Sequence, residues 1–480
     1  MAKSKGDNKI LLTSLFFVSA VIFLAIFSWN TSPLYTFFGY DSSIFKAMGK
    51  FMADGLTPYK DFFDHKGPII IFIEWIGFGI TKSDYTMLLL QAIFLTATLY
   101  GVYKIANIFM NSKKSVVLTL VSLLVLSLVM SGQGGNTVEE WILPFIVWSS
   151  YFAVKFFAYK ENEHNYKYSI LYGITFAIAA FSRFTNAIPV LIFAGVILIY
   201  LIKQKAWKNI FKNILAFVVG ALIITIPILI WFAVNGAMDD MIYATFIFNF
   251  KYMMAKSFQA DGLRIFKHTA RYLLPLIFAV VLQIAMIAKK KDVWLNVALL
   301  IQCVVAVVMH VTGALFPHYL YIWVPTVVIT LILVVKDYGV MKWFARGYVA
   351  LLVVVFIGTN YIAFRNYHSY LKDMAVDYEK NCKDIYSHMP DKNAKILCVD
   401  SNPYFYIVTD TIPNYKYFHT QDLHSYYDSK TKAEWTSLIK SNKARYMVVS
   451  RMGEFPMYPY LRKHYHALYE NGRFALIEKN

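Results

Sequence analysis

The stretch "FFDHKGPIIIFIEWIGFGITKSD", residues 62–84, decides how the rest of the chain is read. It sets Asp64, His65 and Lys66 directly before an apolar run, 68–80. As a helix that run is about 20 Å long, short of a hydrocarbon core of roughly 30 Å. Whether it crosses the membrane determines which side every later loop faces. The surrounding chain is built for a bilayer. Of 480 residues, 58% are hydrophobic and 16% are charged, too few charges to cover a soluble domain of this size. The net charge of +18 belongs to loop lysines that orient spans, not to a nucleic-acid surface.

Eleven spans are expected, at 10–29, 85–110, 116–130, 141–157, 168–181, 187–202, 214–234, 272–288, 293–311, 319–335 and 348–364. The first follows the basic start "MAKSKGDNK", and no small-residue cleavage site follows it, so it reads as an uncleaved span. If 68–80 stays in the interface, the loops "NSKKS", "KENEHNYK", "KQKAWKNIFKN", "KKKD" and "KDYGVMKWFAR" all fall on the N-terminal side. All carry lysine. If 68–80 crosses, the inner loops become "GQGGNTVEE", "SRFTN" and "GALFPH", nearly without lysine. The positive-inside rule selects the first arrangement. The N-terminus is then cytoplasmic and the C-terminus outside, in the plasma membrane. The run 68–80 becomes an interfacial or re-entrant helix of the outer leaflet.

The first outer loop contains "GYDSSIFKAMGKFMADG". Ile44, Phe45, Met48, Phe51 and Met52 recur at helical spacing, with Lys46, Lys50 and Asp54 on the other face, as in a helix lying on the membrane, and Gly55 ends it. Asp41 reads either as its N-cap or as a functional carboxylate. Lys66 reads either as a snorkelling lysine among membrane lipids or as a phosphate ligand. His65 and Asp64 read as solvated loop groups or as parts of the same cluster. Glu139 and Glu140 open the fourth span, where the helix dipole favours carboxylates. Arg183 stands between two spans and His318 at the entrance of another. The carboxylates could take a divalent cation, but no ligand spacing demands one, and no cofactor is indicated. There are three cysteines and no CxxC; Cys382 and Cys398 either pair or remain free thiols.

Residues 365–480 change character. The runs "AKILCVD", "YFYIVTD", "RYMVVS" and "RFALIE" look like strands, and "DMAVDYEKNCKDIYSHM" and "SKTKAEWTSLIKSN" like helices. The expected fold is an all-α polytopic membrane domain, 1–364, with interfacial helices in its first outer loop, followed by a small extracytoplasmic α/β domain, 365–480.

The segments "GYDSSIF", "DHKGP", "GGNTVEEWILPF" and "FPHYLYIWVP" resemble those of the GT-C class of polytopic glycosyltransferases. The likeness is to the protein O-mannosyltransferases and the lipid A aminoarabinose transferases. It covers the membrane part and is strongest over 39–80. It implies a sugar donor linked to polyprenyl phosphate and transfer on the outer face to a cell-envelope acceptor: a glycan, a lipid, a teichoic-acid-like polymer or a protein. It places Asp41 at the acidic position and Lys66 at the Lys-Pro element. Where the mannosyltransferases have Asp-Glu, this chain has Asp41-Ser42, so their acceptor class does not carry over.

A lipid phosphate is already a competent leaving group. The reaction then needs a base for the acceptor hydroxyl and cations for the departing phosphate. Asp41 is the expected base. Lys66, with His65, Arg183 and His318, is expected at the phosphate, and Glu139, Glu140 and Asp64 at the sugar or acceptor. A flippase for lipid-linked glycans would need polar groups at midplane, which the spans lack. A membrane acyltransferase would rest on a histidine such as His318 and would spare Asp41.

Overall fold

A computed structural model describes residues 4–131, 133–254, 262–312, 316–419, 421, 429–441, 444–450 and 458–480. Residues 255–261 and 313–315, which fall between expected spans, lie outside the described residues. Among the described residues, ten helices are long and apolar enough to cross a membrane. They match ten of the eleven expected spans. The eleventh, 168–181, forms a helix, Tyr166–Ala180, of 15 residues. Glycines bring it backbone to backbone against the helix Trp207–Val234. A Cβ on Gly173 would stand 2.0 Å from the Phe217 carbonyl oxygen, and one on Gly220 would stand 2.0 Å from that of Ile170. Small residues at such a crossing allow close van der Waals packing where no hydrophobic drive separates helix from lipid.

The chain divides into two compact units. The first comprises Met1–Ser32, Leu88–Ile228 and Ser257–Arg365 and is helical. Its loop 131–137 holds three consecutive left-handed residues, Gly134, Gly135 and Asn136. Gly135 is required there, because a Cβ would come within 2.3 Å of Ser28 Oγ. Asn30 fastens the loop by donating to the carbonyls of Gln133 and Gly135.

The second unit comprises Pro33–Met87, Leu229–Lys256 and Asn366–Asn480. The amphipathic segment after the first span forms the helix Tyr40–Ala53, with its lysines buried in the protein rather than in water. Ser42 through Phe51 are all buried. The lysines are buried because each has a counter-group. Lys46 pairs with Asp84, and Lys50 reaches Asp54 at 2.8 Å, Asp410 at 3.1 Å and the Thr411 carbonyl at 2.9 Å. Buried charges persist only when paired in this way.

The short apolar run forms a helix, Pro68–Glu74, that continues as a π-helical turn, Trp75–Gly79. Pro68 suits the first turn, where its missing N–H costs nothing. The run packs on Tyr40–Ala53 through glycine. A Cβ on Gly49 would lie 2.5 Å from the Glu74 carbonyl carbon, and one on Gly79 would lie 2.1 Å from the Gly49 carbonyl oxygen. Gly49→Ala improves helix propensity by about 1 kcal/mol. It forces this crossing apart at an overpacking cost of about 1–3 kcal/mol. A lower thermal midpoint than wild type is expected, and an unchanged or higher one would refute the close crossing.

The C-terminal part carries a four-stranded sheet, β1 (Leu397–Val399), β2 (Tyr446–Ser450), β3 (Tyr465–Glu470) and β4 (Phe474–Lys479), in the order β1-β2-β4-β3. β1 and β2 run parallel, and the other pairs are antiparallel. Leu397, Val399, Met447 and Val449 from its strands and Trp435 and Ile439 from the helix Ser429–Lys440 build its core. Three of the four expected strands are present. The exception, "YFYIVTD", folds as a helix, Tyr404–Val408. Asn402 Oδ1 accepts from Tyr404 N and Pro403 precedes the first turn, so a helix start overrides the β-branched and aromatic content. The edge strand β3 was not expected. All three cysteines are free and buried, and burial pushes the Cys398 thiol up to about 12.

Candidate active site

Two polar clusters stand out, one in each unit. In the second unit, Thr57–Lys66 forms a tight turn. Tyr59 adopts φ 67°, its N–H donates to the Phe62 carbonyl at 2.7 Å and its hydroxyl to the Lys66 carbonyl at 2.8 Å. Such a conformation costs a tyrosine energy and is held by burial. The turn delivers Asp64 into the protein, where it is 1% exposed. Asp64 Oδ1 accepts from Lys66 N at 2.6 Å and lies 3.8 Å from Lys66 Nζ and 3.7 Å from His65 Nδ1. Lys66 Nζ is 3.2 Å from His65 Nε2. Lys66 also lies over the Phe45 ring, 5.9 Å from its centre. It is therefore seated in a charged cluster. Burial alone would push the Asp64 carboxyl up, but Lys66, His65 and His419 outweigh it and hold it well below the usual carboxylate range.

The sign of that shift makes a pH prediction. A depressed folded-state pKa contributes stability that is fully present above the unfolded value of about 3.9 and is lost as pH falls through the folded value. The gap in thermal midpoint between the wild type and Asp64→Asn should shrink as the pH falls below about 4. A gap independent of pH would contradict the ion cluster.

Asp41 occupies the first turn of Tyr40–Ala53 and is partly exposed. The N-cap is Gly39, in extended conformation. The capping role that the sequence allowed Asp41 is therefore not the one it has.

In the first unit, Glu139 and Glu140 lie in the first turn of the helix Val138–Ala158 and point to different partners. Glu140 accepts from Asn136 N at 2.8 Å and from Gln91 Nε2 at 2.9 Å, while Gln91 Oε1 accepts from Thr31 at 2.6 Å. Its carboxylate fastens the start of its own helix, much as the third residue of a capping box does. Glu139 is 1% exposed and faces Arg183, whose Nη1 is 3.3 Å from Oε1. The Arg183 guanidinium stacks 3.5 Å from the centre of the Tyr319 ring, and the His318 ring meets Tyr319 edge-on at 4.5 Å. Glu139, Arg183 and His318 thus form one group through Tyr319, and Glu140 forms another with Gln91. Asp64, His65 and Lys66 are brought together in the other unit.

Sequence reasoning missed His419, Tyr319 and Gln91. None carries a local motif; each acquires its place through a contact distant in sequence. Among the described residues, no three His, Cys, Asp or Glu side chains converge as a metal ion requires.

Ten helices able to cross a membrane, helices between the first two of them and a small C-terminal sheet together give a GT-C-like fold. The solved structure of ArnT from Cupriavidus metallidurans without ligand superposes with a TM-score of 0.61 at 12% identity, covering 99% of this chain and 98% of that one. The same protein bound to undecaprenyl phosphate gives 0.57 at 14% identity, covering 97% of each chain. At such identities the likeness is one of fold. The oligosaccharyltransferase of Archaeoglobus fulgidus overlaps more loosely, with a TM-score of 0.49 at 10% identity over 92% of this chain and 69% of that one. No curated protein matches the sequence. Residues 5–342 match the family described as competence-induced protein Ccs4, N-terminal domain, and the chain belongs to that family.

Proposed function

We propose that this protein is a membrane glycosyltransferase. It moves a hexosyl or pentosyl group from a polyprenyl-phosphate donor to a cell-envelope acceptor on the outer face of the membrane. The observation that carries the reading is Lys66, held beside His65 and a buried Asp64 ahead of a short apolar helix in a chain of GT-C fold. A cation fixed in that way suits a phosphate on a lipid. Asp41 is the base that takes the acceptor hydroxyl's proton. The sugar C1–O bond to phosphate breaks, the acceptor oxygen bonds to C1, and polyprenyl phosphate leaves with the electron pair. Lys66 and His65 offset the charge growing on that phosphate. Arg183 and His318 are assigned as further donor contacts and Glu139 to the sugar or acceptor side, with Glu140 acting through the loop it fastens and Asp64 through Lys66, which it seats. A divalent ion at these carboxylates is a further option for the chemistry.

Membranes given a panel of radiolabelled short-chain polyprenyl-phosphate sugars test this reading. Label should enter an acceptor fraction in the presence of the wild-type protein. Movement of intact donor across the bilayer without bond transfer would indicate a flippase, and indifference to every donor would reject the reading.

The outward orientation has its own test. The native cysteines are buried, so single cysteines at Lys60 and Lys113, both exposed, can be read against a quiet background. An impermeant thiol reagent on intact cells should label Lys60→Cys and spare Lys113→Cys. The reverse pattern would invert the orientation.

A further inference from the structure

The residue completing the Asp64–Lys66 cluster comes from far along the chain. His419 is 1% exposed, and its Nε2 lies 3.2 Å from Asp64 Oδ2. The two carboxylate oxygens are thereby divided. Oδ1 faces Lys66, through its N–H and its ammonium, and His65. Oδ2 faces His419. The segment carrying His419 is pinned to the first outer loop at several points, all within the second unit. The Phe63 N–H donates to the Lys416 carbonyl at 2.8 Å, Lys50 donates to the Thr411 carbonyl, and the Phe418 ring sits edge-on to Phe51 at 5.1 Å and to Phe62 at 6.5 Å. A carboxylate gripped on one oxygen only can turn about its last bond. With His419 at ion-pair distance from Oδ2 as well, it is set to present Oδ1 in one direction.

We propose that His419 is a positioning residue. By holding Asp64 Oδ2 it fixes the carboxylate that seats the Lys66 ammonium, so the C-terminal segment helps to set the phosphate-binding cation. The proposal rests on the assignment of Lys66 to the donor phosphate for its consequence in catalysis, but the positioning itself is testable without any donor.

The experiment uses the full-length purified protein and its variants His419→Phe and His419→Gln. The first readout is reductive methylation of the Lys66 amine, quantified by peptide mass spectrometry, with the thermal midpoint as a control for folding. His419→Phe should be methylated faster, on the order of fivefold, as expected for coupled neighbours in one charge cluster. His419→Gln, whose amide can still donate to Oδ2, should stay close to wild type. Should His419→Phe fail to fold, His419→Asn carries the test, because its shorter amide falls short of Oδ2 and should expose the lysine likewise.

The second readout is binding of short-chain polyprenyl phosphate, which should weaken in the same order. Equal methylation in wild type and His419→Phe at matching thermal midpoints would overturn the proposal, as would a His419→Gln protein as reactive as His419→Phe. A change in methylation without a change in polyprenyl-phosphate binding would leave the positioning intact and refute the assignment of Lys66 to phosphate.

Discussion

Asp41→Asn is expected to lower glycosyl transfer by roughly 10²-fold or more while donor affinity stays near that of the wild type. Asparagine keeps the shape of the side chain and removes its charge and its capacity to accept a proton. Asp41 is not the N-cap of its helix, which is Gly39, so loss of the N-cap does not account for the fall in transfer. An aspartate that merely favours the helix dipole contributes about 0.3–1 kcal/mol to stability. Its replacement would shift the thermal midpoint slightly and leave turnover alone. Steady-state turnover, donor binding and thermal midpoint, measured on the same preparation, separate the two roles. An active Asp41→Asn protein would end the assignment of Asp41 as base.

Lys66→Met should act on both binding and rate, because negative charge is present on the bound donor and grows as the bond breaks. Loss of a donor aimed at such an oxyanion costs about 10²–10³ in turnover. Weaker donor binding should accompany it. A snorkelling lysine would behave otherwise, since a generic membrane attraction is worth about 1 kcal/mol and methionine would cost little more than that.

The substitution also leaves Asp64 buried with less opposing charge, which destabilises the fold by about 3–5 kcal/mol when an ion pair is broken on one side. The double variant Asp64→Asn/Lys66→Met removes both charges. It should regain thermal stability relative to Lys66→Met without regaining transfer. Recovery of transfer in the double variant would show that Lys66 serves only to balance Asp64.

Much of the membrane part was legible because the bilayer imposes length and polarity on each span. Ten of the expected spans appear as suitable helices, and the short apolar run 68–80 appears as Pro68–Glu74 extended by a π-helical turn. The burial of Tyr40–Ala53 was not legible. Its periodicity correctly predicts a helix, but periodicity cannot say that Lys50 will meet Asp410, 360 positions later, or that Gly49 will admit the Glu74 backbone. Tyr404–Val408 was misread because a short aromatic and β-branched run fits a strand or a buried helix equally well, and Asn402 decides between them. Strand β3 escaped because its residues are mostly exposed at the sheet edge, where alternation is weak.

The site shows the same division. Asp41 and Lys66 could be singled out because they lie in short segments near the first span. His419 has no such context, and its position is set by the packing of Phe418 on Phe51 and Phe62.

The central claim is that the donor's phosphodiester is cleaved with transfer of the sugar. Phosphorus NMR of the purified protein with a short-chain polyprenyl-phosphate sugar and an envelope extract as acceptor follows that bond directly. The account requires the phosphodiester resonance to be replaced by that of a phosphomonoester, at a rate that falls by roughly 10²-fold in Asp41→Asn. A phosphodiester signal that persists across the donor panel with a folded, donor-binding protein, or a conversion indifferent to Asp41, would contradict it.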